Sequence, residues 1–213
     1  MLKVKGFTFN MFGEMTYVVY NEQSYKAAIV DPGMMNSGEA AQLDDFLAKN
    51  RLEIEHVIAT HLHIDHVMGL SRIIEKTGLG LEASRDDEFL SKRIAEQADM
   101  FRLPIKMPPV EISKYLNPGD KINIGDDYLV VISVPGHSPG SIALYSPSSS
   151  FVLTGDALFD GSIGRTDLPG GDYATLINSI TNNLMTLPDD TVVYSGHGNP
   201  TTIGKQKQVN PYL

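Results

Sequence analysis

The chain contains no cysteine. That excludes disulfides and thiolate metal sites, so any metal it binds is held by nitrogen and oxygen. Basic residues are also scarce: 17 Lys and Arg stand against 26 Asp and Glu, giving a formal net charge of −9 and a pI near 5.0. Such a balance argues against general binding to nucleic acid or to anionic membranes. No apolar stretch approaches the length of a membrane span, and no segment of low complexity suggests a linker. The opening Met1–Gly6 shows no basic-then-apolar leader and runs straight into strand-like sequence, so a soluble cytoplasmic protein is expected. At 213 residues, 42% hydrophobic and 20% charged, the composition is that of an ordinary globular chain with room for a sizeable core. One domain spanning residues 1–213 is expected.

Histidine is concentrated in one place. His61, His63, Asp65 and His66 stand in the run H-L-H-I-D-H, directly after the apolar Val57-Ile58-Ala59. Two positions separate His61 from His63, so both imidazoles can project to one side of an extended segment. Asp65 and His66 fall at the start of a helically spaced stretch over Val67–Thr77, at its positive dipole end. Reading Asp65 as a helix cap would explain the aspartate and leave the three histidines without a purpose.

Three further candidates lie where apolar strands end. His137 stands in P-G-H-S-P-G, Asp156 in T-G-D-A-L-F and His197 in S-G-H-G, each directly after a glycine. Glycine lets the backbone turn sharply and pass close to a ligand. Singly, each reads as an ordinary turn residue. Together with the first run they make seven ligands, and only His56 is left over, expected as a surface or structural residue.

Seven ligands exceed one tetrahedral zinc and suit two divalent cations sharing a carboxylate, with zinc expected first and iron or manganese as alternatives. His61, His63 and His137 are assigned to the first ion and Asp65, His66 and His197 to the second, with Asp156 and a hydroxide bridging. Asp65 and Asp156 are then the expected catalytic carboxylates. Such a site stays net positive, so it can attract an anionic substrate, hold a nucleophile at neutral pH and stabilise a developing oxyanion.

The surrounding pattern is one of strands and helices in two similar halves. Leu2–Phe12, Met15–Tyr20 and Lys26–Val30 read as a strand meander, followed by a helix over Gly38–Asn50 capped by Ser37. His56–Thr60 and Leu79–Ala83 read as strands, Arg85–Phe101 as one helix, and the proline-rich Leu103–Asn117 as an irregular connection. In the second half Tyr128–Val134, Ser141–Tyr145, Phe151–Thr154 and Thr191–Ser195 read as strands, and Asp172 can cap a helix reaching Thr186. Two packed sheets covered by outer helices follow. The segment Arg85–Asn117, the largest insertion between the two halves, is expected to cover part of the metal cleft.

These motifs resemble the metallo-β-lactamase fold superfamily and, within it, the glyoxalase II-like hydrolases. H-L-H-I-D-H at 61–66, P-G-H-S-P-G-S at 135–141, T-G-D-A-L-F at 154–159 and S-G-H-G at 195–198 carry the likeness over nearly the whole chain, and G-S-I-G-R-T-D-L-P-G-G-D at 161–172 looks like the short glyoxalase II-like branch. The resemblance implies an αββα four-layer sandwich with both metals at one edge between the sheets, and the same division of ligands. It implies hydrolysis of hydroxyacylglutathione-like thioesters through a metal-bound hydroxide. Full-length glyoxalase II proteins carry a helical C-terminal segment that helps grip glutathione, and Gly198–Leu213 is too short to supply one. Flavodiiron relatives place a glutamate where this chain has His63. True β-lactamases lack the carboxylate supplied here by Asp156.

Chemistry points the same way. A thiolate leaving group, with a conjugate-acid pKa of about 8.5, departs unprotonated near neutrality, whereas an amide nitrogen needs a general acid that these motifs do not offer. Arg165, nine positions after Asp156, is expected in the same cleft as a clamp for a substrate carboxylate, or else as half of a loop salt bridge. The alternatives are a persulfide dioxygenase with one iron on His61, His137 and Asp156, a lactonase or phosphodiesterase with both metals, and a metal-binding regulatory module without catalysis.

Overall fold

In the computed structural model, which describes residues 1–105 and 107–213, the strands form two facing sheets. The first holds β1 (Leu2–Phe9), β2 (Glu14–Asn21), β3 (Lys26–Val30), β4 (Glu53–Ile58), β5 (Leu81–Ala83) and β6 (Ile112–Tyr115), side by side in that order. Its outer face is covered by α1 (Ser37–Lys49), α2 (Leu70–Thr77), α3 (Glu88–Ser91) and α4 (Ile94–Met100). The second half begins with β7 (Lys121–Ile124), β8 (Asp127–Ser133), β9 (Ile142–Ser146) and β10 (Phe151–Gly155), then a small pair, β11 (Leu158–Phe159) and β12 (Ser162–Ile163). It ends with α5 (Tyr173–Ser179), β13 (Val192–Ser195), β14 (Thr201–Thr202) and α6 (Ile203–Val209). The second sheet runs β14-β13-β10-β9-β8-β7.

Alternation along the strands builds the layers. Tyr17 and Val19 of β2 and Ala28 and Val30 of β3 face the other sheet, where they meet Leu129, Val131, Leu144 and Leu153. The intervening Val18, Ala27 and Ile29 face α1 and α2. Val152 and Val193 turn the other way, onto Leu176 and Ile180. This is the αββα sandwich expected from the sequence.

Strand direction then gathers the chemistry. β3 and β4 run parallel, as do β10 and β13, and β8 and β10 both oppose β9. The C-terminal ends of these strands therefore emerge at shared edges of the two sheets. Cross-sheet bonds close that edge: Ile142 N donates to Thr60 O at 2.9 Å and Met15 N to Gly196 O at 2.8 Å.

Several local expectations are corrected. Asn36, not Ser37, caps α1, its side chain accepting from Gly38 N and Glu39 N. The helix expected from Val67 begins at Leu70, because Gly69 N is bonded to Pro32 O and a Cβ there would overlap Met34. Asp65 and His66 thus lie on a separate single 3-10 turn, Ile64–His66, and no long helix dipole points at them. The expected helix over Arg85–Phe101 is broken into a turn at Arg85–Asp87, α3 and α4. The expected irregular stretch after it contains β6, and position 106 within it lies outside the described residues. After Ser179 the backbone widens into a π turn over Ile180–Leu184, while Asp172 caps α5 as expected through Thr175 N at 2.7 Å. His56 sits inside β4 and is structural, between Glu82 Oε1 and the backbone oxygen of Asn123. No helix of the described residues is long and apolar enough to cross a membrane.

Candidate metal centre

The seven residues singled out by the sequence converge at the sheet edge. His61 Nε2 lies 3.2 Å from His137 Nε2, and His63 Nδ1 lies 2.8 Å from the same atom. On the other side His197 Nε2 is 3.3 Å from Asp65 Oδ2, and His66 Nε2 is 3.7 Å from that oxygen. Asp156 stands between the two groups: Oδ1 is 3.4 Å from His66 Nε2, and Oδ2 is 3.6 Å from His137 Nε2 and 3.5 Å from His197 Nε2. His61, His63 and His137 form one triad, and Asp65, His66 and His197 another, with ligand atoms inside each within 4.8 Å of one another.

Backbone and hydroxyl partners aim the rings. His137 Nδ1 donates to Arg165 O at 2.7 Å and His197 Nδ1 to Phe12 O at 3.2 Å, which leaves each Nε2 lone pair directed inward. Asp31 Oδ2 accepts from Thr60 Oγ1 at 2.7 Å, and Thr60 Oγ1 in turn lies 3.1 Å from His61 Nδ1. Since that hydroxyl has spent its proton on Asp31, it accepts from His61 Nδ1–H, and His61 too presents Nε2 to the centre. Asp31 Oδ2 also lies 3.1 Å from His66 Nδ1.

The donor set fits a metal. Tetrahedral zinc ligands with bonds of about 2.0–2.1 Å sit roughly 3.3 Å apart, close to the 3.2 Å between the Nε2 atoms of His61 and His137 and somewhat beyond the 2.8 Å from His137 Nε2 to His63 Nδ1. Both nitrogens of His66 and Asp156 Oδ1 are buried without a well-formed hydrogen bond, an expensive state unless something else satisfies them. Charge points the same way. Burial pushes His61 well below its ordinary range and His63 down to about 3, with neighbouring imidazoles adding to both, so each is neutral and able to ligate. His66 goes the opposite way: burial opposes its charge, but Asp65, Asp156 and Asp31 outweigh that and lift it well above the ordinary value. Burial likewise works against the Asp156 anion, yet His66, His137 and His197 hold its carboxyl below the usual range. The carboxylates require positive charge among them, which a divalent cation would supply.

Two glycines allow this closeness. Gly155 takes a φ of 49°, turning the chain at the end of β10, and a Cβ on it would strike Thr60 Oγ1. A Cβ on Gly196 would overlap Asp156 Oδ1.

A cleft opens over the centre, lined by Phe12, Phe101, Phe159, Leu168 and Arg165 besides the ligands. Phe101, at the end of α4, packs edge-on against Phe12 with ring centroids 5.4 Å apart, so the insertion does border the cleft. Arg165 also reaches the cleft, but its guanidinium is held by Asp167 in a two-pronged ion pair, both contacts 2.7 Å. Its backbone carbonyl, rather than its side chain, touches a candidate ligand.

Sequence reasoning passed over Asp31, Thr60 and Asp87. Asp31 carries the same signal as the others, a polar residue ending the apolar run Ala27–Val30. Asp87 had no such signal. It is fully buried, and its carboxylate accepts from Leu62 N, Ser138 Oγ and Gly140 N, thereby tying together the loops that carry His61, His63 and His137.

Known proteins resemble this chain. The family model described as the metallo-beta-lactamase superfamily matches residues 12–197. The chain is 37% identical over 188 residues to hydroxyacylglutathione hydrolase GloC of Haemophilus influenzae, a match covering 88% of this chain and 87% of that protein. Among solved structures it is similar to the BLEG-1 B3 metallo-beta-lactamase, with a TM-score of 0.90, 31% identity and 99% of each chain covered. The protein TTHA1623 in a di-iron-bound form gives a TM-score of 0.86 and 32% identity over 98% of this chain and 100% of that one.

Proposed function

The chain belongs to the metallo-beta-lactamase superfamily and is a metal-dependent hydrolase, and within that class we propose a dinuclear thioesterase acting on small anionic thioesters of the hydroxyacylglutathione kind. The observation that carries this reading is the pair of ligand triads with the Asp156 carboxylate between them. In it, His61, His63 through Nδ1, and His137 would hold one divalent cation, Asp65, His66 and His197 would hold the other, and Asp156 lies within reach of both groups. Zinc suits these ligands, and iron is what the di-iron-bound neighbour contains. When bound, the two ions supply an activated water and polarise the substrate carbonyl.

The chain's own residues do the rest. His137 and His197, each fixed by a backbone carbonyl on Nδ1, orient the ligand set. Phe12, Phe101 and Phe159 wall the cleft and limit water around the reacting carbonyl. Among the described residues lining that cleft, every histidine and carboxylate belongs to the ligand set, and Arg165 keeps its proton at all relevant pH. No side chain is left to protonate a leaving amine, which favours a thiolate that departs without help. The name of the Haemophilus influenzae relative supports a hydroxyacyl thioester of glutathione. Arg165, at the cleft wall, would receive an acidic group of the thiol portion on exchanging its Asp167 partner for the substrate.

A second reading, β-lactam hydrolysis, is favoured by the likeness to BLEG-1. The Asp156 carboxylate and the missing acid weigh against it. The test combines metal analysis with three assays on the same preparation: thiol release from hydroxyacyl thioesters, opening of a cephalosporin, and oxygen uptake with a persulfide. Close to two metals and rapid thiol release are expected. One iron with oxygen uptake, or β-lactam opening without thiol release, would overturn the proposal.

A further inference from the structure

The candidate ligands are not all aimed by the same brace. Asp87 ties the loops of His61, His63 and His137, and none of its partners adjoins Asp65 or His197. Those two residues come from opposite sheets: Asp65 follows β4 in the first and His197 follows β13 in the second. Their side chains nevertheless meet, with His197 Nε2 at 3.3 Å from Asp65 Oδ2. The turn between β1 and β2, residues 10–13, lies across this point and touches both.

Asn10 is the hub of that turn. Its Nδ2 donates to the backbone oxygens of Gly33, at 2.9 Å, and Asp65, at 3.0 Å, while its Oδ1 accepts from Phe12 N at 2.9 Å. Two carbonyls and one amide as partners fix the orientation of the side chain, since only its nitrogen end can donate. Phe12 passes the restraint on, its carbonyl accepting from His197 Nδ1 at 3.2 Å. Beyond the turn Glu14 pairs with His197 in an isolated bridge, and Met15 N donates to Gly196 O at 2.8 Å. The turn is itself anchored on α1, because Asn10 N donates to Glu39 Oε1 at 3.1 Å. Asn10 has a φ of 48°, in the left-handed region that asparagine tolerates better than most residues.

We propose that Asn10 is a positioning residue for the second metal ion alone, setting Asp65 through its backbone oxygen and His197 through Phe12. The inference rests on the two-ion part of the reading above and is independent of the substrate. Asp65 and His197 are two of the three ligands assigned to that ion, and the third, His66, has Asp31 Oδ2 at 3.1 Å from its Nδ1. Among the described residues, every hydrogen bond from the turn to a ligand loop goes to Asp65 or His197. Each half of the centre thus has its own brace, Asp87 for the first triad and Asn10 for the second. An outer partner of this kind acts by holding the ligand in its binding geometry before the ion arrives.

Zinc titration of the metal-free protein against a competing chelator gives a dissociation constant for each ion. Asn10→Gly is the variant, since glycine adopts a φ of 48° freely and the amide is removed without straining the turn. We expect one constant to stay at the wild-type value and the other to weaken about tenfold to a hundredfold. His197→Ala identifies the ion concerned: it should keep one ion, on the first triad, and adding Asn10→Gly should leave that ion's constant unchanged. A turn that merely braced the fold would weaken both ions alike. Equal weakening of both constants, no weakening of either, or a weaker remaining ion in the double variant would overturn the proposal while leaving the two-ion reading in place. A wild type that binds a single ion would overturn the two-ion reading, and this proposal with it. Two ions in the wild type and selective loss in Asn10→Gly, with no thioester cleaved, would leave the role of Asn10 standing and the thioester reading fallen.

Discussion

The Asp87 carboxylate accepts a hydrogen bond from Ser138 Oγ at 2.8 Å, across 51 positions of sequence and between the two halves of the chain. Its other partners are Leu62 N at 2.9 Å and Gly140 N at 2.6 Å. Leu62 lies between His61 and His63, and Ser138 follows His137, so one buried carboxylate sets the spacing of the first ligand triad without belonging to it. Burial drives its carboxyl above the ordinary value, against the pull of these hydrogen bonds, a sign of how far it has been taken from water.

Asp87→Ala should therefore lower metal affinity about tenfold to a hundredfold, as expected when an outer partner of a ligand is lost. It should also cost the metal-free protein about 2–4 kcal/mol, since two backbone amides lose their acceptors. Asp87→Asn keeps one acceptor oxygen and should fall between. Metal titration and thermal melting of both variants decide the matter, and wild-type metal affinity in Asp87→Ala would refute the spacing role.

Gly196→Ala adds a single methyl group at the position where a Cβ overlaps Asp156 Oδ1. Displacing that carboxylate should strip most of one metal and nearly all hydrolytic activity, while circular dichroism stays native. A Gly196→Ala protein with two metals bound would show that Asp156 can retreat without consequence, contrary to its central place.

The legible part of this molecule is the part with a local signature. Each of His61, His137, Asp156 and His197 follows closely on an apolar strand, with a glycine directly before the last three, and that pattern can be read within ten residues. The layer architecture followed from the same strands. Asp87 could not be read, because its meaning lies in Leu62, Ser138 and Gly140, none of them near it in sequence. The break in the Arg85–Phe101 helix is invisible for the same reason: the apolar spacing of Leu90, Ile94, Ala98 and Phe101 is helical throughout, and long-range bonds to Asp87 hold its first turn apart. Strand β7 was missed although Lys121–Ile124 alternates exposed and buried residues, since four residues between turns carry little pattern of their own.

Acid should destabilise the fold partly through Glu82. Burial would raise this carboxyl, but His56 on one oxygen and Lys114 on the other hold it below the ordinary glutamate range. A carboxyl whose folded value lies below its unfolded value stabilises the protein above the unfolded value, near 4.3, and that contribution is lost as pH falls through the folded value. Glu82→Gln should thus be less stable at pH 7 and show a flatter acid limb, the gap between pH 7 and pH 3 shrinking by roughly 0.5–1 kcal/mol. Denaturant melts of metal-free protein separate this from metal loss. An acid limb as steep as the wild type's would place the sensitivity elsewhere.

Arg165 and Asp167 form the last test, because their pairing sets what the cleft can bind. The aspartate is held down to about 2 by the guanidinium beside it, so the pair is fully ionised wherever the enzyme works. A substrate carboxylate must displace Asp167 to reach Arg165. Both side chains are exposed, so the exchange trades one solvated ion pair for another and its net gain is modest. Arg165→Ala should then reduce kcat/KM for a carboxylate-bearing thioester by about tenfold, and for a neutral thioester of similar size hardly at all. Asp167→Ala should move the first value the other way, severalfold upward, by removing the competitor, and the double variant should behave as Arg165→Ala alone. Metal content should stay constant throughout, because the contact to His137 comes from the Arg165 backbone oxygen, which survives both substitutions. Equal losses for the charged and neutral substrates in Arg165→Ala would mean that the pair only braces the loop, and the acidic end of the substrate would have to be sought elsewhere on the cleft.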